Sequence, residues 1–410
     1  MSDKITFNIF SEIGKLQTVI MHTPGPEVEK MVPETIKQAL YSDLLSMPAL
    51  QEEYNIFKEV VQQHATVLEV KPLLTETLNN EEARHSIIDH VVRLEKNETI
   101  KPLLNELSSD ELATALIEGL KSNEGRPLTR PAYNLFFTRD ITAVHHHTAL
   151  IGQMAHDVRY MEALIMNTIF SFHPSFDGNR IFTKPIPNPD LTVKYEGGDI
   201  LIVRDDITLI GLGDRTSSQG IDVLIKEYLN DRKEHHLIVQ ELPKQPESFI
   251  HLDMVFTLLS QTECMVFKPL ILDKNKYRTM HLHIKNGVIV SLKEKEHILS
   301  ALKELGIELT PLLCGGEQLL YQHREQWHSG SNFFALAPGK IIGYARNRYT
   351  IDQLKKQNYT VLDAKDVAQK QVDLSQYEKY VITFAGNELA RGGGGARCMT
   401  MPLAREALTI

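Results

Sequence analysis

Apolar residues fall into two textures along the chain. Leu50, Tyr54, Phe57 and Val61 stand three or four apart and predict an amphipathic helix over residues 48–64. On either side, "LQTVIMHTPG" (16–25) and "ATVLEV" (65–70) read as strands, the first ending in a Pro-Gly turn. From about residue 71 to 130 the strand signal almost vanishes. Ala83, Ile87, Val91 and Leu94 keep a helical period there. "SSDELATALIEGL" opens with Ser108 and Glu111 in capping-box spacing and puts Leu112, Leu116 and Leu120 on one face. These residues predict a helical insertion, 71–130, closed by the polar stretch "SNEGRPLTRP" and set into an α/β unit made of 1–70 and 131–410.

After Pro131 the texture changes to short apolar blocks. "YNLFFTRD", "TALIG", "DILIV", "ITLIGL", "HLIVQEL", "KIIGYA" and "TVLD" are strand candidates, and 297–305 and 351–357 are helix candidates. Strands come in pairs ahead of each helix, as in "GGDILIVRDDITLIGL". This predicts an α/β fold of repeated ββαβ units rather than a simple doubly wound sheet. No clean internal sequence repeat accompanies it.

Composition narrows the function classes. The chain has 410 residues, 42% of them hydrophobic, and a net charge of -9. An acidic chain is a poor phosphate binder, so nucleic acid is not expected as a partner. The first fifteen residues carry Asp3 and Glu12 and no apolar core of a signal peptide. No apolar run approaches the roughly 18 residues of a membrane span. Cys264, Cys314 and Cys398 are odd in number, widely spaced and free of CxxC, which fits neither a disulfide framework nor a cysteine zinc site. A cytoplasmic location is expected, with any cysteine role nucleophilic rather than structural.

Cys398 lies in "RGGGGARCMTM", behind four glycines and beside Arg397. A flexible loop with an adjacent cation would raise the thiolate fraction; the alternative is an inert buried cysteine. "FIHLDMVF" places His251 and Asp253 two apart, on one face if the run is a strand, an arrangement suited to general acid–base work. "YEGGDILIV" and "NLFFTRDI" put Glu196, Asp199 and Asp140 beside apolar runs. Carboxylates so placed need partners, either a cationic ligand or salt bridges to Arg139 and Arg215. "GLGDRTSSQGI" lacks phosphate-loop spacing, so Arg215, with Arg159 in "HDVRYMEAL", reads as a bidentate holder of a carboxylate or as a helix-surface arginine. Consecutive strand residues point to opposite faces, so His145, His146 and His147 are not expected to share a metal ion.

Taken together, "SEIGKLQTVIMHTPG", "NLFFTRD", "EGGD", "DRTSSQ", "HLD", "SGSNFFALAPGKIIGYARN" and "ARCMTMPLARE" resemble the arginine deiminase family, in the family's order and over nearly the whole chain. The resemblance implies a pentein fold, a five-bladed α/β propeller of ββαβ units around a polar centre, with the helical insertion as an added module. It implies hydrolysis of L-arginine to L-citrulline and ammonia without metal or organic cofactor. By motif, Cys398 resembles the nucleophile and His251 the general acid and base. Glu196 resembles the carboxylate supporting that histidine and binding the guanidinium, and Asp140 and Asp253 the guanidinium clamp. Arg159 and Arg215 correspond to arginines holding the substrate carboxylate, Asn134 and Phe137 to substrate contacts, and Leu40 to a residue whose backbone touches substrate. The resemblance also implies a homo-oligomer, a dimer or larger.

The chain departs from the family pattern in four places. Ile141 stands where proline is usual after FTRD, the histidine triplet replaces a stretch often containing glycine, Gly393 stands where some members carry arginine, and Tyr54 stands where histidine is commoner. An amidinotransferase on the same fold and a non-catalytic arginine-binding paralogue are the competing readings. The helical insertion argues against the shorter dimethylarginine hydrolases, and a carboxylate-holding Arg215 against an agmatine deiminase.

Overall fold

The computed structural model describes residues 4–408 apart from positions 123, 124, 126 and 231. Its described strands form five separate sheets built on one plan: an antiparallel pair whose second strand gains a parallel neighbour after a crossover. Leu16–Met21 pairs antiparallel with Met401–Arg405 and parallel with Thr66–Glu69. Thr148–Ile151 stands likewise between Thr142–His145 and Arg180–Phe182. Ile207–Leu212 lies between Ile200–Arg204 and His235–Glu241, and Glu263–Val266 between Phe256–Leu258 and Thr310–Leu313. Lys340–Tyr344 pairs antiparallel with Phe334–Ala337 and parallel with Tyr380–Phe384, which also pairs with Thr360–Asp363. A parallel neighbour requires a crossover, and the helices found between paired strands supply it.

The amphipathic helix runs Met47–Gln62 and buries Leu50, Tyr54, Phe57 and Val61, as their spacing predicts. Thr66–Glu69 leads directly into four helices, Val70–Thr77, Glu81–Glu95, Ile100–Glu106 and Ser109–Glu118. The Ser108–Glu111 capping box forms in full, and the last helix stops before Gly119, at φ 80°, so Leu120 lies beyond it. The four helices share an apolar core with the helix Tyr160–Phe172, through Leu74, Ile87, Val91, Leu112 and Leu116 on one side and Leu164, Ile165 and Ile169 on the other. Part of "SNEGRPLTRP" lies outside the described residues.

Two strand expectations need correction. "YNLFFTRD" is a turn followed by one helical turn, Thr138–Ile141, with the strand starting only at Thr142. Its apolar run has no alternation, and the Phe136 and Phe137 rings pack on each other at 4.1 Å instead of pointing to opposite faces. "FIHLDMVF" is likewise two tight 3₁₀ turns, Glu247–Phe249 and Leu252–Met254, ahead of a short strand. His251 and Asp253 therefore owe their common direction to a turn, not to the two-residue period of a strand. Among the described residues no helix is long and apolar enough to cross a membrane.

Candidate active site

The cysteine sits on a turn immediately before Met401–Arg405, closed by the Met399 N–H donating to Gly395 O at 3.2 Å. Asn332 Oδ1 accepts from the backbone N–H of both Arg397 (2.9 Å) and Cys398 (3.2 Å), and Asn332 Nδ2 donates to Asp253 O (3.1 Å). One side chain thus ties the cysteine turn to the turn carrying His251 and Asp253. The glycines ahead of it are packed rather than loose. A Cβ on Gly394 would stand 2.4 Å from Phe137 Cε1, and one on Gly395 would stand 2.6 Å from Asn332 Oδ1. Tyr344 Oη donates to Gly394 O at 2.9 Å. Only Gly393, at φ 90°, has open space where a Cβ would be. In this structure the run lets Phe137, Asn332 and Cys398 approach the backbone closely.

"EGGD" is explained in the same way. A Cβ on Gly197 would strike Arg139 O at 2.1 Å, and one on Gly198 would lie 2.5 Å from His251 Nδ1. Gly197 lets the Arg139 and Thr142 backbone come close, and Gly198 lets the imidazole approach the chain between Glu196 and Asp199. His251 Nε2 lies 2.8 Å from Glu196 Oε2 and His251 Nδ1 lies 3.5 Å from Asp140 Oδ1. Glu196 Oε2 also accepts from Arg215 Nη1 (3.2 Å), and Glu196 Oε1 from Ala155 N–H (2.9 Å). Asp199 is occupied structurally, accepting from Thr216 Oγ1 (2.6 Å) and Leu252 N–H (2.9 Å). Cys398 Sγ lies 3.7 Å from Asp253 Oδ2. Cys398, His251, Glu196, Asp140 and Asp253 are all buried.

The two arginines differ. Arg159 is 2% exposed and its donors are engaged within the protein: Nε to Glu162 (2.7 Å), Nη1 to Asp140 Oδ2 (2.7 Å) and Nη2 to Asn134 O (3.2 Å). It is neither a helix-surface residue nor a free carboxylate holder. Among the described residues Arg215 hydrogen-bonds only Glu196, through Nη1, and is the better placed of the two to receive a ligand carboxylate. Asn134 is brought in through Arg159 and through its Nδ2, which donates to Ala39 O at 2.9 Å. That contact sets the neighbouring Leu40, itself at φ 67°, beside the site. A leucine in the left-handed region is strained, and such strain collects at sites of function.

Arg397 does not act on the thiol as its position in sequence suggests. Its guanidinium spans Glu12 (Nε to Oε2, 3.0 Å), Asp253 (Nη1 to Oδ2, 2.8 Å) and Ile200 O (Nη2, 2.8 Å). Burial, then the charges of Asp253 and Asp140, push the Cys398 thiol well above its usual range, and Arg397 only partly offsets them. These influences favour the neutral thiol at Cys398. Burial works against a charged His251, but Asp140, the Glu196 hydrogen bond and Asp199 outweigh it and raise its pKa to about 9. For Glu196, burial is overcome by Arg215 and the His251 bond, which hold its carboxyl below the usual carboxylate range. The site thus pairs a neutral thiol with an imidazolium. Asp140 Oδ1 and His251 Nδ1 are buried and have no hydrogen-bond partner among the described residues.

Several contributors escaped the sequence reading. Glu12, Asn332 and Glu162 are each buried and each ties two site elements together. Glu162 was detectable as the one carboxylate in the apolar helix run "YMEALIM"; Glu12 and Asn332 lie in "SEIGKLQTVIMHTPG" and "SGSNFFALAPGKIIGYARN", but no residue pattern singles them out there. Cys264 and Cys314 are free and buried in the core, and burial pushes the Cys314 thiol up to about 12. The three histidines of the triplet bond different partners, although the His145 and His146 rings meet edge to face at 4.4 Å. His145 bonds Tyr228 Oη, His146 takes φ 53° and contacts Asp205 O, and His147 contacts Phe7 O.

The chain is similar to several known proteins. A family model described as arginine deiminase matches residues 105–405. An arginine deiminase of Bacillus cereus is 30% identical, covering 98% of this chain and 99% of its own length. One of Borrelia duttonii is 28% identical over 97% and 98%. Among solved structures, SxtG, an amidinotransferase from Microseira wollei, superposes with TM-score 0.56 at 14% identity, covering 98% of each chain. The N-terminal domain of ArgZ, an arginine dihydrolase, bound to product gives 0.54 at 13%, covering 95% of this chain and 98% of its own. These two likenesses establish a shared mixed α/β fold. With the family model spanning most of its length and full-length relatives at this identity, the chain belongs to the arginine deiminase family.

Proposed function

We propose that this protein hydrolyses L-arginine to L-citrulline and ammonia through a covalent intermediate on Cys398. The observation that carries the reading is the buried carboxylate oxygen Asp140 Oδ1, which accepts no hydrogen bond among the described residues and has the His251 Nδ1 charge 3.5 Å away, in a site that also holds Asp253 and the cysteine sulfur. Unsatisfied buried acceptors are costly, and a guanidinium is the planar multiple donor that satisfies carboxylates on two sides.

The substrate guanidinium would lie between Asp140 and Asp253, with Glu196 beside it. Its positive charge would offset the two carboxylates that keep the thiol protonated, so binding would lower the thiol pKa and release the thiolate where it is needed. The sulfur would attack the central carbon, forming a C–S bond. The C–N bond to one terminal nitrogen would break as His251 delivers its proton, and ammonia would leave. A water would then give a proton to neutral His251 and attack the thiouronium carbon. Cleavage of the C–S bond would release citrulline and return the thiolate. Arg215 would hold the substrate carboxylate. Arg159 would join it only by giving up an existing partner, and Phe137 and the Leu40 backbone would line the aliphatic part.

Five ββαβ units around a central site, with residues 71–130 as an added helical module on the catalytic unit, are the architecture this reading adopts. A homo-oligomer is supported by the strand Val288–Lys295, the outer strand of the largest sheet, where Val288 is 62%, Val290 53% and Leu292 58% exposed. A reducing cytoplasm suits three free cysteines.

The test is citrulline and ammonia formation from L-arginine by wild type and Cys398→Ala, with agmatine and methylated arginines in parallel. Equal amounts of both products from arginine, absent in the variant, are expected. Turnover only with an added amine acceptor would point to an amidinotransferase. No turnover by wild type would favour an arginine-binding role and overturn the catalytic assignment.

A further inference from the structure

The largest sheet carries a histidine cluster that the proposed reaction does not use. In the antiparallel pairing of His235–Glu241 with Thr279–Lys285, His236 lies directly opposite His283. Glu234 is two residues before His236, and His281 is two residues before His283, so the two-residue period puts all four side chains on one face. His283 Nε2 is 2.5 Å from Glu234 Oε1. The His236 and His283 rings stack at 4.6 Å, and His236 Nδ1 is 3.0 Å from His281 Nε2. One ligand atom from each of Glu234, His236 and His283 lies within 4.8 Å of the others. The cluster is half-buried or exposed, open to an ion from solvent.

The cluster is remote from the cysteine. Along the sheet, His283 and His236 align with Ile207 and Arg204, whereas the Glu196–Asp199 segment enters at Ile200, in line with Ile210, Val239 and Met280 at the other end.

We propose that Glu234, His236 and His283 form a surface binding site for a divalent transition cation of the zinc class. Two imidazoles and a carboxylate are ligands such ions accept, and three protein ligands leave a fourth tetrahedral position for water. Tetrahedral bonds of about 2.0–2.2 Å place ligand atoms roughly 3.3–3.5 Å apart, a spacing that small rotamer changes can reach from the observed cluster. With His236 binding through Nε2, its Nδ1 stays bonded to His281, which fixes the ring as an outer partner. The ion would pin the outer hairpin, Thr279–Lys285 with Val288–Lys295, to the rest of the sheet.

The experiment uses the full-length, tag-free chain carrying Cys398→Ser, so that the catalytic thiol cannot bind the probe. Zinc titration by calorimetry is expected to show one equivalent per chain, weakened at least tenfold by His236→Gln and by His283→Gln. Cobalt in place of zinc should give visible bands of a nitrogen–oxygen site with no sulfur charge transfer. Zinc should also raise the Tm of the parent and not of either variant. With Cys398 restored, both histidine variants should turn over arginine within about twofold of wild type. Zinc binding of equal affinity in parent and variants would overturn the proposal. So would the absence of stoichiometric binding in the parent, which would leave Glu234 and His283 an ordinary ion pair.

Discussion

The protonation of Cys398 and of His251 follows from burial and from the charges that surround each. A neutral alkylating agent such as iodoacetamide should label Cys398 at a rate that keeps rising with pH beyond the usual thiol range, because burial and then the charges of Asp253 and Asp140 hold the thiol protonated. A cationic haloacetamidine should label it rapidly at neutral pH by bringing its own charge. Equal pH profiles for the two reagents would rule out the proposed role of the substrate cation. His251 makes the complementary prediction. In Cys398→Ala its imidazole should titrate near pH 9 by NMR, and Glu196→Gln should move that midpoint down. Because the folded pKa lies above the ordinary 6.5, the associated stabilisation is complete below about pH 6.5 and disappears as pH rises through about 9. The sequence made both residues visible, but the neighbour in sequence misled: Arg397 adjoins the cysteine along the chain, while its guanidinium turns away to Glu12 and Asp253.

At the scale of elements, what was legible depended on periodicity. The helix Met47–Gln62, the capping box and the paired strands announce themselves through spacing. The segments that position the site do not. The turns 132–137 and 247–254 are apolar without a period, because their side chains pack into a crowded centre from irregular backbone. Glycine marks those places better than hydrophobicity does. Gly198→Ala should cut kcat at least tenfold while leaving the far-UV circular dichroism intact, because a methyl 2.5 Å from His251 Nδ1 displaces the ring. Gly393→Ala tests the other side of this argument. Space is open there and only the positive φ opposes the change, so a cost of about 1 kcal/mol and a modest loss of activity are expected. Equal damage from the two substitutions would show that close packing is not what the glycines serve.

Across the whole molecule, Glu12 binds distant parts of the chain together. It receives the Arg397 guanidinium on both oxygens, lies 3.7 Å from Arg139 Nη1, and through its backbone N–H meets Ile202 O. Burial opposes its charge, but the Arg397 and Arg139 guanidinium groups lower its pKa to about 2. That depression corresponds to about 3 kcal/mol, present above the ordinary carboxylate value and lost as pH falls through about 2. Glu12→Gln should flatten the acid limb of the Tm profile. It should also destabilise the protein by about 3–5 kcal/mol at neutral pH, since it strands two buried guanidinium groups. An unchanged acid limb would remove Glu12 from that role. Composition and periodicity do not single out this residue, because its charged partners, Arg139 and Arg397, lie far along the chain.

The pairing of Leu16–Met21 with Met401–Arg405 has a consequence for how the protein is made. The earlier strand leaves the ribosome hundreds of residues ahead of its antiparallel neighbour. Cys398 lies just upstream of that late strand, on a turn held by Asn332 and Asp253, which are translated before it. Throughout elongation the carboxylates and the histidine can gather before Cys398 has been made. On the mechanism proposed above, turnover of guanidines arrives only with the closing strand, so a nascent chain halted before residue 398 should not turn over arginine however much of its body has already folded.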